Sequence, residues 1–89
     1  MPPTIILADD HSVVRQGIRS LLERENFEVV GEAANGVEAV RLAEKYQPDI
    51  AILDLSMPIM NGITAIGQIR EVSPRTKVVL LTIDRKSVV

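Results

Sequence analysis

The sequence predicts an α/β fold: a parallel sheet with helices on both faces. Three observations carry that prediction. Short apolar runs rich in β-branched residues alternate with segments of helical period. Each helical segment is long enough to return the chain as a right-handed crossover between parallel strands. The third and fourth apolar runs carry almost no polar residue, as strands covered on both faces require.

Thr4–Ala8 reads as a buried strand that ends at Asp9 and Asp10. Val14, Ile18, Leu21 and Leu22 then recur at helical spacing, with Ser12 or Asp10 available as the N-cap. Residues 27–33 alternate apolar and polar, as a strand at a sheet edge would. Asn35 and Gly36 make a turn, after which Val37, Val40 and Ala43 mark one face of a second helix. Pro48 breaks that helix and introduces a third strand over residues 50–53. Pro58, Asn61 and Gly62 make an irregular loop; Ile63, Ile66 and Ile69 then carry a third helix, which ends near Ser73 and Pro74. Residues 77–83 form the fourth strand, and residues 84–89 are too few for another crossover. The chain thus reads as one unit over 1–89 that stops early, without repeat, low-complexity tract or linker.

Composition narrows the class of function. Only one Tyr and one Phe are present, so Ile, Leu, Val and Ala must build the core. A net charge of -2 leaves no basic footprint for nucleic acid or an anionic membrane. The absence of cysteine excludes disulfides and thiolate metal sites. No apolar run is long enough to span a bilayer, and the N-terminus lacks the basic and apolar regions of a signal peptide. The expectation is a cytoplasmic protein.

Ligands of open α/β sheets bind outside the carboxyl ends of the strands. Asp9 and Asp10 end the first strand there, and Asp54 ends the third. Singly, each acid could be a helix cap or a turn residue. If the first and third strands are neighbours, the three carboxylates converge in a cluster whose mutual repulsion calls for a proton or a cation, most simply Mg²⁺. Asp54, at the end of the more apolar run, is the best placed nucleophile or direct ligand. Thr82 ends the fourth strand, either as a β-former or as a hydroxyl donor to an anion beside Asp54. His11 reads as an exposed residue of the first helical turn, and Arg15 and Arg19 as a solvated helix face. Met57 and Met60 fill space. The glycines at 31, 36, 62 and 67 match no phosphate-binding loop.

These residues resemble a known family. An acid pair ends the first strand; Asp54-Leu55-Ser56-Met57-Pro58 with Gly62 follows the third; Thr82 ends the fourth. The pattern is similar to the receiver domain of two-component response regulators. Ala8-Asp9-Asp10-His11 followed by Arg15, Gly17 and Leu21-Leu22 resembles the NarL/FixJ subgroup, which usually carries a helix-turn-helix DNA-binding domain. The likeness covers residues 4–83, with 84–89 as a tail, and implies a flavodoxin-like (CheY-like) sheet in the order 2-1-3-4.

The resemblance further implies that Asp54 accepts a phosphoryl group from a sensor histidine kinase. Asp9, Asp10, Asp54 and the Ser56 backbone carbonyl would hold Mg²⁺, and Thr82 would bond a phosphoryl oxygen and report its arrival. Such a protein is a phosphoacceptor rather than a turnover enzyme. The sequence departs from the family in lacking the fifth strand with its lysine and aromatic switch, and the output domain; Lys86 is the one nearby lysine, outside the family's context. Without a fifth strand, the fourth would expose an apolar edge able to pair with a second copy, as a homodimer or a domain-swapped oligomer. This gives an alternative reading, an interaction module without useful phosphotransfer. An aspartyl phosphatase is a weaker third, because Ser56 stands where such an enzyme keeps a second acid. DNA binding by this segment itself is not expected.

Overall fold

The computed structural model of the chain describes residues 2–55 and 57–81. Seven elements alternate along them: β1 (Thr4–Ala8), α1 (Ser12–Arg24), β2 (Glu28–Ala33), α2 (Gly36–Tyr46), β3 (Ile50–Asp54), α3 (Gly62–Val72) and β4 (Lys77–Leu81). Every strand pairing is parallel and the spatial order is β2-β1-β3-β4, the expected 2-1-3-4 arrangement. The pleat divides each inner strand between two cores. Ile6, Ala8, Ala51 and Leu53 face α2 and α3, while Ile5, Leu7 and Ile52 join Ile18 and Leu22 of α1 on the other side. Strands covered on both faces need the near-continuous apolar runs that β1 and β3 have.

Helix faces differ in detail from the periodicity. Ile18 and Leu22 are four apart and share one face of α1, which turns Leu21 outward. In α2 the fully buried positions are Gly36, Ala39 and Ala43, small residues that let the helix lie close to the sheet, with Val37 and Val40 half-buried beside them. In α3 the buried face runs through Gly62, Ala65 and Ile69, so Ile63 lies off it and is 65% exposed. Both helices are capped by asparagine: Asn35 Oδ1 accepts from the Glu38 amide and Asn61 Oδ1 from the Thr64 amide, each at 2.9 Å.

The amino ends of the strands are tied by buried polar bonds. Thr76 Oγ1 donates to the Pro48 carbonyl at 2.7 Å, so the 2.6 Å contact between the two hydroxyls must be donated by Ser73. Gln47, left-handed at φ 46°, ends α2 and sends its amide nitrogen to the Val72 carbonyl at 2.8 Å. β4 ends the described sheet order, and with Val79 45% and Leu80 38% exposed it is not covered on both faces as its apolar run predicts. Because Ile69 is wholly buried in the larger core, Ile69→Ala should cost about 2–5 kcal/mol in urea unfolding. A change below about 0.5 kcal/mol would contradict this packing.

Candidate metal and phosphoacceptor site

The site follows from strand register. β1 and β3 are neighbours, and Ala8 pairs with Leu53, so the next residue along each segment is an aspartate: Asp9 follows β1 and Asp54 ends β3, on adjacent segments at the carboxyl edge. Both are buried, at 0% and 2% exposure, whereas the Asp10 side chain keeps 26%. The Asp9 amide still bonds the Ala33 carbonyl at 3.0 Å, which holds that residue to the sheet one step beyond β1. Its carboxylate then turns the chain: Asp9 Oδ1 accepts the His11 amide at 2.8 Å.

His11 is itself the N-cap of α1, in place of Ser12 or Asp10, and makes no side-chain cap bond. Its half-exposed ring lies with Nδ1 2.9 Å from Asp10 Oδ1. Among the described residues, the ligating atoms of Asp9, Asp10 and His11 all lie within 4.8 Å of one another, and Asp54 is not a member of that tight group. The donor set suits a hard divalent cation. Three carboxylates share one edge, two of them shut away from water, and a cation with oxygen ligands relieves their repulsion. Mg²⁺ fits these residues.

Glycine and a tight loop bring α3 up to the acids. A Cβ on Gly62 would lie 2.8 Å from the Asp54 carbonyl oxygen and 3.2 Å from Leu55 Cα, so only glycine lets α3 start against the end of β3. Between them, Met60 N–H donates to the Pro58 carbonyl at 2.7 Å across Ile59, whose φ is 69°. A β-branched residue in that region is a strained turn beside the site. Met57 is buried and Met60 packs on the larger core, as space-filling residues. Ser56, Thr82 and Lys86 lie outside the described residues. Two cavities lie at the other end of the sheet: volumes of about 730 and 460 Å³ are lined by Pro2, Pro3 and Phe27 and by Gln47, Pro48 and Arg75. Those residues precede the parallel strands, whereas the acids follow them.

Arg15 and Arg19 are not a merely solvated face. Arg15 Nε donates to Glu32 Oε1 at 2.9 Å, and Arg19 Nη1 donates to Glu32 Oε2. The clue in the sequence is a glutamate in β2, one residue before its end, opposite two arginines one turn apart. Burial pushes the Glu32 carboxyl up, but hydrogen bonds from Arg19 and Arg15 outweigh it and hold it below its ordinary value. Hydrogen bonds to Glu32 and then Glu23 hold Arg19 above its own.

Comparison with known proteins places this geometry. The model of the response regulator receiver domain matches residues 5–89. The chain belongs to that receiver family. It is 41% identical over 84 residues to the nitrate/nitrite response regulator protein NarL of Escherichia coli K12, covering 93% of this chain and 39% of that protein. A LuxR-family two-component response regulator from Aurantimonas sp. SI85-9A1 superposes with a TM-score of 0.84 at 40% identity, covering 90% of this chain and 58% of the other. A chain of the CheX–CheY–BeF3–Mg²⁺ complex from Borrelia burgdorferi gives a TM-score of 0.86 at 27% identity, covering 97% and 68%. This is a NarL-like receiver of the kind found in transcriptional response regulators, and it spans less than two-fifths of the length of the curated regulators it matches.

The Glu32 clamp gives this receiver a pH signature. A carboxyl held low in the folded state stabilises the fold above its ordinary value of 4.5 and loses that contribution as pH falls through the lower, folded value. Glu32→Gln should therefore melt below wild type at neutral pH, with the gap narrowing as pH falls below the ordinary value of 4.5. An unchanged gap across that range in thermal melts would contradict the clamp.

Proposed function

We propose that this receiver takes a phosphoryl group from the phosphohistidine of a sensor histidine kinase onto Asp54, as the input stage of a transcriptional response regulator. The observation that carries the reading is Asp54 itself, a carboxylate buried at the end of β3 and beside Asp9 on the adjacent strand. A carboxylate oxygen of Asp54 attacks phosphorus as the P–N bond breaks, and the leaving imidazole keeps the electron pair. The product is an acyl phosphate on this chain, so the receiver is an acceptor rather than a turnover enzyme.

Asp9, Asp10, Asp54 and the Ser56 carbonyl would hold Mg²⁺. When bound, the ion lets two anions approach by neutralising charge between them. Burial of Asp9 and Asp54 removes competing water, and the Asp9 turn fixes where the acid pair points. The Thr82 hydroxyl would donate to a phosphoryl oxygen. Support comes from the matched relatives: the neighbour from Borrelia burgdorferi comes from a complex with BeF3 and Mg²⁺, and several curated relatives are transcriptional regulators. DNA binding would belong to a separate output domain. A cytoplasmic site of action agrees with the kinase chemistry, and no helix among the described residues is long and apolar enough to cross a membrane. Nothing in the relatives favours the alternative of an interaction module pairing through β4.

Incubation with acetyl phosphate and Mg²⁺ tests the reading by intact-protein mass. A single phosphoryl adduct should form on wild type, be lost on adding chelator beforehand, and be absent from Asp54→Asn. An adduct of equal yield in Asp54→Asn would refute the assignment of the acceptor.

A further inference from the structure

We infer that Arg15 is a positioning residue for the acid pair, and that Glu32 both fixes Arg15 and keeps its cation away from the acids. The inference rests on the reading of Asp9 and Asp10 as holders of a divalent ion. The strand ladder of β1 ends at Asp9, whose amide bonds Ala33. The Asp9 carbonyl accepts instead from Arg15 Nη1 at 2.6 Å, a short charge-assisted bond.

The same guanidinium donates from Nε to Glu32 Oε1 at 2.9 Å. Two donors of one rigid plane bound to two partners fix that plane, which a lysine cannot do. Arg15 thus ties the peptide between Asp9 and Asp10 to β2, from a side chain only 19% exposed. The carboxylates of Asp9 and Asp10 are stronger acceptors than a carbonyl, and a loosened arginine would neutralise them in place of the metal. Glu32 supplies the competing anion. Its second oxygen is taken by Arg19, which steadies Glu32 without a bond to the Asp9 segment.

Uptake of Mn²⁺ by the purified chain, read from the electron paramagnetic resonance signal of the free ion, separates positioning from stability. Arg15→Met should weaken Mn²⁺ binding about tenfold or more, the loss typical of a supporting partner, at a temperature where circular dichroism shows it folded. Arg15→Lys should regain part of the loss and serves if the methionine variant does not fold. Glu32→Gln should also weaken binding, but add nothing in the Arg15→Met background. Arg19→Gln should lower the melting temperature while leaving Mn²⁺ affinity within about twofold. Affinity in folded Arg15→Met or Arg15→Lys equal to wild type would overturn the inference and leave the metal site intact. A wild-type chain that takes up no Mn²⁺ would overturn the site and this inference with it.

Discussion

Two aspartates buried at the ends of adjacent strands are the constraint on which the rest of this receiver turns. The pairing of Ala8 with Leu53 fixes them. A shift of one residue in that register would exchange the faces of β3, turning Ala51 and Leu53 towards α1, and would separate Asp9 from Asp54. The two cores secure the register from both sides, since Ile5, Leu7 and Ile52 commit one face while Ile6, Ala8, Ala51 and Leu53 commit the other. Burial of like charges opposes folding, and the fold accepts it where a cation or a phosphoryl group can be bound.

The surroundings lower that cost with backbone and with charge. Asp9 turns its own chain by accepting the His11 amide, Gly62 admits α3 beside Asp54, and Arg15 brings a cation to the Asp9 carbonyl. Glu32 returns a negative charge one layer further out, between Arg15 and Arg19. The pattern is alternating: acids at the centre, arginine behind them, glutamate behind the arginine. Cavities at the amino ends of the strands, of about 730 and 460 Å³, take no part.

Much of this was legible in the sequence. Apolar runs ending in aspartate placed β1, β3 and the acids correctly, because a strand covered on both faces leaves little choice of side chain. Strand order came from family resemblance, since periodicity does not say which strands are neighbours. Helix faces were read less well. Leu21 and Ile63 are apolar yet point outward, because an α-helix has one inward stripe and small residues such as Ala39 and Ala65 take it where the helix must lie close. The role of Arg15 was hidden for another reason: its partners, the Asp9 carbonyl and Glu32, come from a backbone atom and a strand distant in sequence. Asparagine caps at 35 and 61 are local, and the local turn signals pointed to them.

Backbone amide shifts recorded during a Mg²⁺ titration test the central claim most directly, because they locate the ion without relying on turnover. The amides of Asp9, Asp10, His11, Asp54 and Leu55, at the carboxyl ends of β1 and β3, should move together along one saturable curve, and Asp54→Asn should weaken that curve. Saturable shifts confined to the amino ends of the strands, around Gln47 and Arg75, with the acid edge unmoved, would contradict the account.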